Sequence, residues 1–458
     1  MVTMSESGQA QPIKNLPDGP KVSRFIQTIR AVFQPFKYLE KYAQEYGDFY
    51  TSKFAGFPTQ VVISNPQAIQ EIFTADYKIF NSAKGNEVVR PLLGDYSLTL
   101  HDGNYHQQQR KLLLPSFHGE RMKAYGNTIC ELTEQVINQW QVGQLFSARE
   151  AMQQISLRVI LRSIFGLDEG ERYYQLRELM GTLIETIGSP LRSTFILLPL
   201  LQKDLGAWSP WGQFIRQKQQ INELLNAEIR ERKAANDFSG EDILTLMMLA
   251  KDEAGQPMTE AELRDELMTL LFAGHETTAT ALAWALYWIH HLPEVKEKLL
   301  NELNSLGENP DLMAITKLPY LNAVCCETLR IYPVVLFSFP RIVQAPIKIM
   351  DYEFQPGTIL APCIYLVHHR EDLYPQSKQF KPERFLERQF SPYEFFPFGG
   401  GNRRCIGMAF AMFEMKLVLA TILRRTQLKL AENRPVLPAR RGITMAPAGG
   451  VKMVATKL

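Results

Sequence analysis

Residues 398–407 read Phe398-Gly399-Gly400-Gly401-Asn402-Arg403-Arg404-Cys405-Ile406-Gly407, and the next eighteen, Met408 to Arg425 (MAFAMFEMKLVLATILRR), have the composition of a strong helix. Three consecutive glycines leave a backbone free to curl tightly and to approach a flat ligand without side-chain collisions. Cys405 then falls at the positive end of the helix, where a thiolate is favoured over a thiol and nearby N–H groups can hydrogen-bond the sulfur. Gly407 lets the helix start pass close under such a ligand, and Arg403 can pair with a carboxylate on it. A bare Gly-x-x-Cys would more often be a buried structural cysteine beside a turn, so the loop has to be weighed with the rest of the chain.

The rest reads as one large domain. Of 458 residues, 45% are hydrophobic and 21% charged, and a formal charge of +2 gives no reason to expect nucleic acid as a partner. Met1 to Pro20 is polar and lacks the apolar run of a signal or anchor, so residues 1–20 are expected to be a flexible leader and 21–458 the folded domain. The most apolar helical segment, Leu263 to Trp288, carries Arg264, Asp265, Glu266, His275 and Glu276, which argues against a membrane span and for a cytoplasmic protein. Five scattered cysteines, Cys130, Cys325, Cys326, Cys363 and Cys405, are no disulfide framework. Phe49-Tyr50-Thr51 and Gln60 to Ser64 flank the turn Ala55-Gly56-Phe57-Pro58 as a hairpin. From Asn65 to about Tyr320 the pattern is helical, and strands return after Tyr332. The expected class is mainly α with a minor β lobe.

Three further patterns carry chemistry. Thr259 and Glu262 form a capping box and Pro293 ends the run, giving a long central helix. Its middle, Ala273-Gly274-His275-Glu276-Thr277-Thr278, inserts polar groups into an apolar segment; the Thr277 hydroxyl can bond back to the Ala273 carbonyl and open a local distortion. An acid reaching solvent beside a hydroxyl is a sensible pair for bringing protons into a dry pocket. A zincin His-Glu-x-x-His reading fails because the second position is Ala279. Glu327 and Arg330 stand three apart on a helix, and Lys381-Pro382-Glu383-Arg384-Phe385 follows later. His106 and Arg110 lie four apart and aim at one target.

The loop matches Phe-x-x-Gly-x-Arg-x-Cys-x-Gly at every fixed position, and with the ordered patterns above the chain resembles the cytochromes P-450. The resemblance implies that fold around haem b (iron protoporphyrin IX), with Cys405 as axial thiolate, a ligand type that favours O–O cleavage. It places Phe398, Arg403 and Gly407 at the haem, and His106, Arg110 and Arg341 on its propionates. Glu327, Arg330 and Arg384 would form a buried structural network; Glu276 would be the acid and Thr277 the hydroxyl of oxygen activation. The implied reaction inserts one atom of O2 into a substrate. Electrons would come from NAD(P)H through a separate ferredoxin and ferredoxin reductase, since the stretch after Cys405 is too short for a fused flavin domain. Arg110, Lys111, Arg121, Lys123 and Arg404 could attract an acidic ferredoxin surface.

Family pocket segments are apolar here: Val88 to Leu93, Ser193 to Leu201, Val334 to Phe339 and Ile443 to Met445, with Val88, Ala273, Val335, Phe337 and Thr444 as lining. A small hydrophobic substrate of fatty-acid or terpene type follows, and a monomer is expected. Arg90 is a candidate for gripping a carboxylate, or simply a solvated loop arginine. Pro-Asp-Gly-Pro near the start and Leu114-Pro115-Ser116-Phe117 look microsomal, while the missing anchor looks bacterial, a mixture that resembles soluble cyanobacterial members. A peroxygenase or hydroperoxide isomerase of the same fold would tend to lack the acid and hydroxyl pair, and a haem carrier would not need it.

Overall fold

The computed structural model describes residues 16–457 except 118, 120, 168, 189–200, 237 and 239. Of the expected pocket border Ser193 to Leu201, all but Leu201 therefore lies outside the described residues, as do residues 1–15 of the expected leader. Residues 16–18, at the end of that stretch, contact the folded domain. The Asp18 carbonyl accepts from the Thr51 N–H at 3.0 Å, the Pro17 carbonyl accepts the Thr51 hydroxyl at 2.6 Å, and Leu16 packs on an apolar cluster. A Cβ on Gly19 would stand 2.0 Å from the Thr51 carbonyl oxygen, so the close approach requires glycine there. Backbone pairing of this kind uses groups that every residue carries, which is why polar composition concealed it.

The central helix runs unbroken over Glu260–His291. Its capping box is formed: the Thr259 hydroxyl accepts from the Glu262 N–H at 3.2 Å, and the Glu262 carboxylate accepts from the Thr259 N–H at 2.8 Å. Leu263, Leu267, Leu271, Leu282 and Trp284 are fully buried, as expected for a helix that is apolar nearly all round and packed on every side. Helix Ala148–Phe165 lies against it so closely that a Cβ on Gly274 would meet Ile160 Cδ1 at 2.8 Å. Gly274 is there for helix contact. Further on, the Trp284 indole N–H donates to the Met445 carbonyl at 2.9 Å and ties the helix to the carboxyl-terminal ribbon.

The β lobe is assembled from distant pieces. One five-stranded sheet runs in the spatial order Phe49–Ser52, Gln60–Ile63, Ile359–Pro362, Arg341–Val343, Phe80–Asn81, with only the second and third strands parallel. The expected hairpin is its first pair, in register Phe49 with Ile63. A three-stranded sheet joins Leu145–Ser147, Lys452–Lys457 and Gln427–Leu430. Among the described residues no helix is long and apolar enough to cross a membrane.

Candidate functional site

The glycine run owes its conformation mainly to the protein itself. Gly399 and Gly401 have φ of +68° and +64°. A Cβ on Gly400 would meet the Phe73 ring at 2.1 Å, and one on Gly401 the Phe73 carbonyl oxygen at 2.6 Å. Two of the three glycines thus let the loop press against helix Pro66–Thr74, whereas Gly407 has nothing within 4 Å of its would-be Cβ and borders open space. The Cys405 N–H donates to the Phe398 carbonyl at 2.9 Å, closing the loop, and Gly407 caps helix Met408–Arg425. Cys405 lies deep within the protein yet its side chain is accessible, so the thiol opens onto an interior cradle.

Burial pushes that thiol above its ordinary value, against the opposing pull of the Gly407 N–H, Arg110 and Arg404. The helix-end N–H pulls in the expected direction but is outweighed by burial. Desolvation outweighs a partial charge here, and a metal cation bonded to the sulfur would reverse the balance.

Four basic residues gather around the same space. His106 is on helix Gly103–Leu113 and buried; burial first, then Arg403, Arg110 and Arg341, hold its imidazole down at about 3. Arg341 is buried on its strand and is lowered to about 9 by burial and by Arg403, with Asp102 opposing. It donates to the Ser82 hydroxyl at 3.3 Å and to the carbonyls of Phe339 at 2.7 Å and Gly400 at 3.1 Å. Arg403 donates to the Leu98 carbonyl at 3.3 Å and bonds the His101 carbonyl and the Asp102 carboxylate, leaving its Nε without a partner among the described residues. Half-buried Arg110 has no carboxylate partner among them. Among the described residues three guanidiniums gather here with one carboxylate, an excess of positive charge that suits a ligand bearing two carboxylates. Asp102, which the sequence reading passed over, is the N-cap of the helix carrying His106 and Arg110, so Arg403 also fixes that helix.

On the central helix Ala273 is accessible and Thr277 partly so, an opening in an otherwise buried stretch. The Thr277 hydroxyl donates to the Ala273 carbonyl at 2.6 Å as expected, but the helix stays α throughout and no distortion opens. Glu276 points elsewhere. Its carboxylate accepts from Arg149 Nη2 at 2.7 Å and Gln153 Nε2 at 2.7 Å, and it is 9% exposed. The expected solvent-reaching acid is instead held from helix Ala148–Phe165, a partner visible only once the helices pack. His275 is buried beside it, its Nε2 3.0 Å from the Gln153 carbonyl oxygen, and burial lowers it to about 4.

The structure brings Glu327, Arg330 and Arg384 together. Glu327 and Arg330, on helix Pro319–Ile331, are 0% exposed. Glu327 accepts from Arg330 Nε at 2.6 Å and Nη2 at 2.9 Å, from Arg384 Nε at 3.2 Å and from the Lys381 N–H at 2.7 Å.

Among the expected lining residues, Val88, Val335 and Phe337 are half-buried. Thr444 is buried in a hairpin, its hydroxyl donating to the Arg441 carbonyl at 3.0 Å. Arg90 is engaged by Glu87 at 2.7 Å and Asp95 at 2.8 Å, so it is not free to grip a substrate carboxylate. All five cysteines are free.

A family model for cytochrome P-450 matches residues 17–452. The chain belongs to the cytochrome P-450 family. A Mycobacterium tuberculosis protein with the cytochrome P-450 designation 135B1 is 34% identical over 96% of this chain and 91% of its own length. Another from that organism, designated 138, is 31% identical over 97% of each. The solved cyanobacterial CYP120A1 with retinoic acid bound superposes with a TM-score of 0.84 over 97% of this chain and 99% of its own, at 24% identity, a likeness of fold. This P-450 is a haem monooxygenase of the thiolate-ligated type, working on small substrates with redox partners.

Proposed function

We propose that this P-450 inserts one atom of O2 into a hydrophobic substrate of fatty-acid or terpene type, with Cys405 as the iron's thiolate ligand. The observation that carries the assignment is the accessible Cys405 thiol deep in the protein beside His106 and the guanidiniums of Arg110, Arg341 and Arg403, whose positive charges exceed the single carboxylate near them among the described residues. The basic residues would hold the haem's two propionates, and Phe398 and Gly407 would border it near the ligand. When bound, the haem supplies the oxygen chemistry, tuned by the thiolate.

The chain's own residues supply positioning and protons. Thr277 holds a proton at Oγ1 on the accessible face of the central helix, now bonded to the Ala273 carbonyl. Glu276 is the reserve acid behind it, and its bonds to Arg149 and Gln153 must loosen before it can pass a proton. Val88, Ala273, Val335 and Phe337 offer an apolar lining. The retinoic acid named with CYP120A1 is an isoprenoid acid, which favours the terpene class. Electrons drawn from NAD(P)H would arrive through ferredoxin and its reductase on the side of Arg110, Lys111, Arg121, Lys123 and Arg404, in a monomeric cytoplasmic protein.

Titrating the ferric protein with fatty acids and terpenes, and following the spectral shift as iron-bound water leaves, tests the substrate class. Cys405→Ser should lose the thiolate spectrum of the reduced carbon monoxide complex. A surviving thiolate spectrum refutes the ligand assignment.

A further inference from the structure

Helix Arg24–Phe33 is built with its polar residue inward. Gln27, its one buried side chain at 1% exposure, donates to the carbonyls of Val22 at 3.0 Å and Pro20 at 3.3 Å and accepts from the Tyr38 hydroxyl at 3.1 Å and the Lys53 N–H at 3.0 Å. The residues turned outward are Phe25 (67% exposed), Ile26 (40%), Ile29 (42%), Val32 (37%) and Phe33 (77%). Their spacing of three and four puts them on one stripe, the pattern by which a helix normally faces a core. Exposed Phe57 extends the patch: it sits in the hairpin turn whose Ala55 N–H donates to the Thr28 hydroxyl, on this helix, at 2.8 Å.

Charge decides among the surfaces that could cover such a stripe. From Gly19 to Leu39 the chain carries Lys21, Arg24, Arg30 and Lys37 and no acidic residue, and all four basic groups are exposed without an ion-pair partner among the described residues. A second copy on the same face would set these four charges against four more, because a twofold interface repeats the same patch on both sides. An apolar stripe on a helix whose only charged residues are the basic Arg24 and Arg30 is instead the signature of a helix lying in the headgroup region of a bilayer. We propose that helix Arg24–Phe33, with the Phe57 turn, docks this protein peripherally on an anionic lipid surface. Phe25, Ile29 and Phe33 enter the acyl boundary while Arg24, Arg30 and Lys37 meet the headgroups.

The experiment is co-sedimentation of the full-length holoprotein with vesicles of phosphatidylcholine alone and of phosphatidylcholine mixed with phosphatidylglycerol. The holoprotein should bind the mixed vesicles more tightly. The double variant Phe25→Ser, Phe33→Ser should weaken binding about tenfold or more, from lost apolar burial. Arg24→Gln with Arg30→Gln should weaken it by roughly fivefold per charge and only on the mixed vesicles. An unchanged haem spectrum shows that both variants are folded, since the stripe makes no core contact. Absence of binding to either vesicle, or binding unaffected by the double phenylalanine variant, overturns the proposal. So does a dimer in lipid-free buffer that the double variant dissolves, since a second copy would then own the stripe.

Discussion

Replacing Glu327 by alanine should strand two guanidiniums inside the protein. The carboxylate accepts two bonds from Arg330, one from Arg384 and one from the Lys381 N–H, and neither Glu327 nor Arg330 has any solvent access. Arg330 cannot swing out to water, because it is also held by the His368 carbonyl at 2.7 Å and the Gln379 carbonyl at 3.1 Å and lies 5.2 Å over the Tyr374 ring. Removing one partner of such a pair costs about 3–5 kcal/mol, against a total stability of about 5–15 kcal/mol for a folded protein. The damage has a route to the cysteine loop. His368 Nε2 accepts the Phe396 N–H at 3.1 Å, and the Phe396 carbonyl accepts the Gly399 N–H at 2.9 Å. Haem content per chain, the reduced carbon monoxide spectrum and the denaturant midpoint measure the outcome. Glu327→Ala should lose haem and stability together, and Arg384→Ala less, since Arg384 gives Glu327 a single bond at 3.2 Å and is 8% exposed. Full haem content in soluble Glu327→Ala protein, or a larger loss in Arg384→Ala, would refute this reasoning.

Thr277→Ala should keep the haem spectrum while ferredoxin-driven product formation falls by about a hundredfold, the usual scale of a lost proton-transfer group; unchanged turnover removes Thr277 from proton delivery. Gly401→Ala forces a side chain into φ +64° with its Cβ 2.6 Å from the Phe73 carbonyl oxygen, so the unfolding free energy should drop by at least ~1–2 kcal/mol and the denaturant midpoint with it, and a wild-type midpoint would contradict the geometry. Glu414, on the helix after Cys405, is buried beside Ser156, and burial pushes it up to about 8. Folded protein keeps that proton while the unfolded chain loses it near 4.5, so this group makes stability fall as pH rises from about 4.5 to about 8. Glu414→Gln should flatten that slope in a pH series of unfolding midpoints, and an unaltered slope would acquit the residue. Electron transfer from ferredoxin should slow as salt rises, since screening shortens from about 10 Å at 0.1 M to about 3 Å at 1 M; indifference to salt counts against the basic docking face.

What could be read from the chain was whatever is encoded within one or two turns. The capping box at Thr259 and Glu262, the Thr277 back-bond and the Glu327–Arg330 spacing each depend on residues three or four apart, and each has the expected geometry. The cysteine loop was legible for a different reason: its fixed residues are closely spaced and jointly rare. What local spacing could not supply was the partner across a gap. Glu276 meets Arg149 from 127 residues away, and Arg403 meets Asp102 from 301. Gly274 answers to Ile160 and Gly400 to Phe73, contacts with other helices that no local spacing announces.

Glu276 shows how much such a partner changes the chemistry. As an isolated acid beside Thr277 it would need only solvent contact to recharge, and its role would follow from its own proton affinity. Held by a guanidinium on one oxygen and an amide on the other, its carboxylate has both oxygens engaged away from Thr277 until one of those bonds opens. Arg149 is itself buried at 7% exposure, so releasing Glu276 leaves a desolvated cation behind. On the proposed role of Glu276, proton supply to Thr277 would be coupled to movement between the central helix and helix Ala148–Phe165, the two elements that Gly274 allows to pack in direct contact.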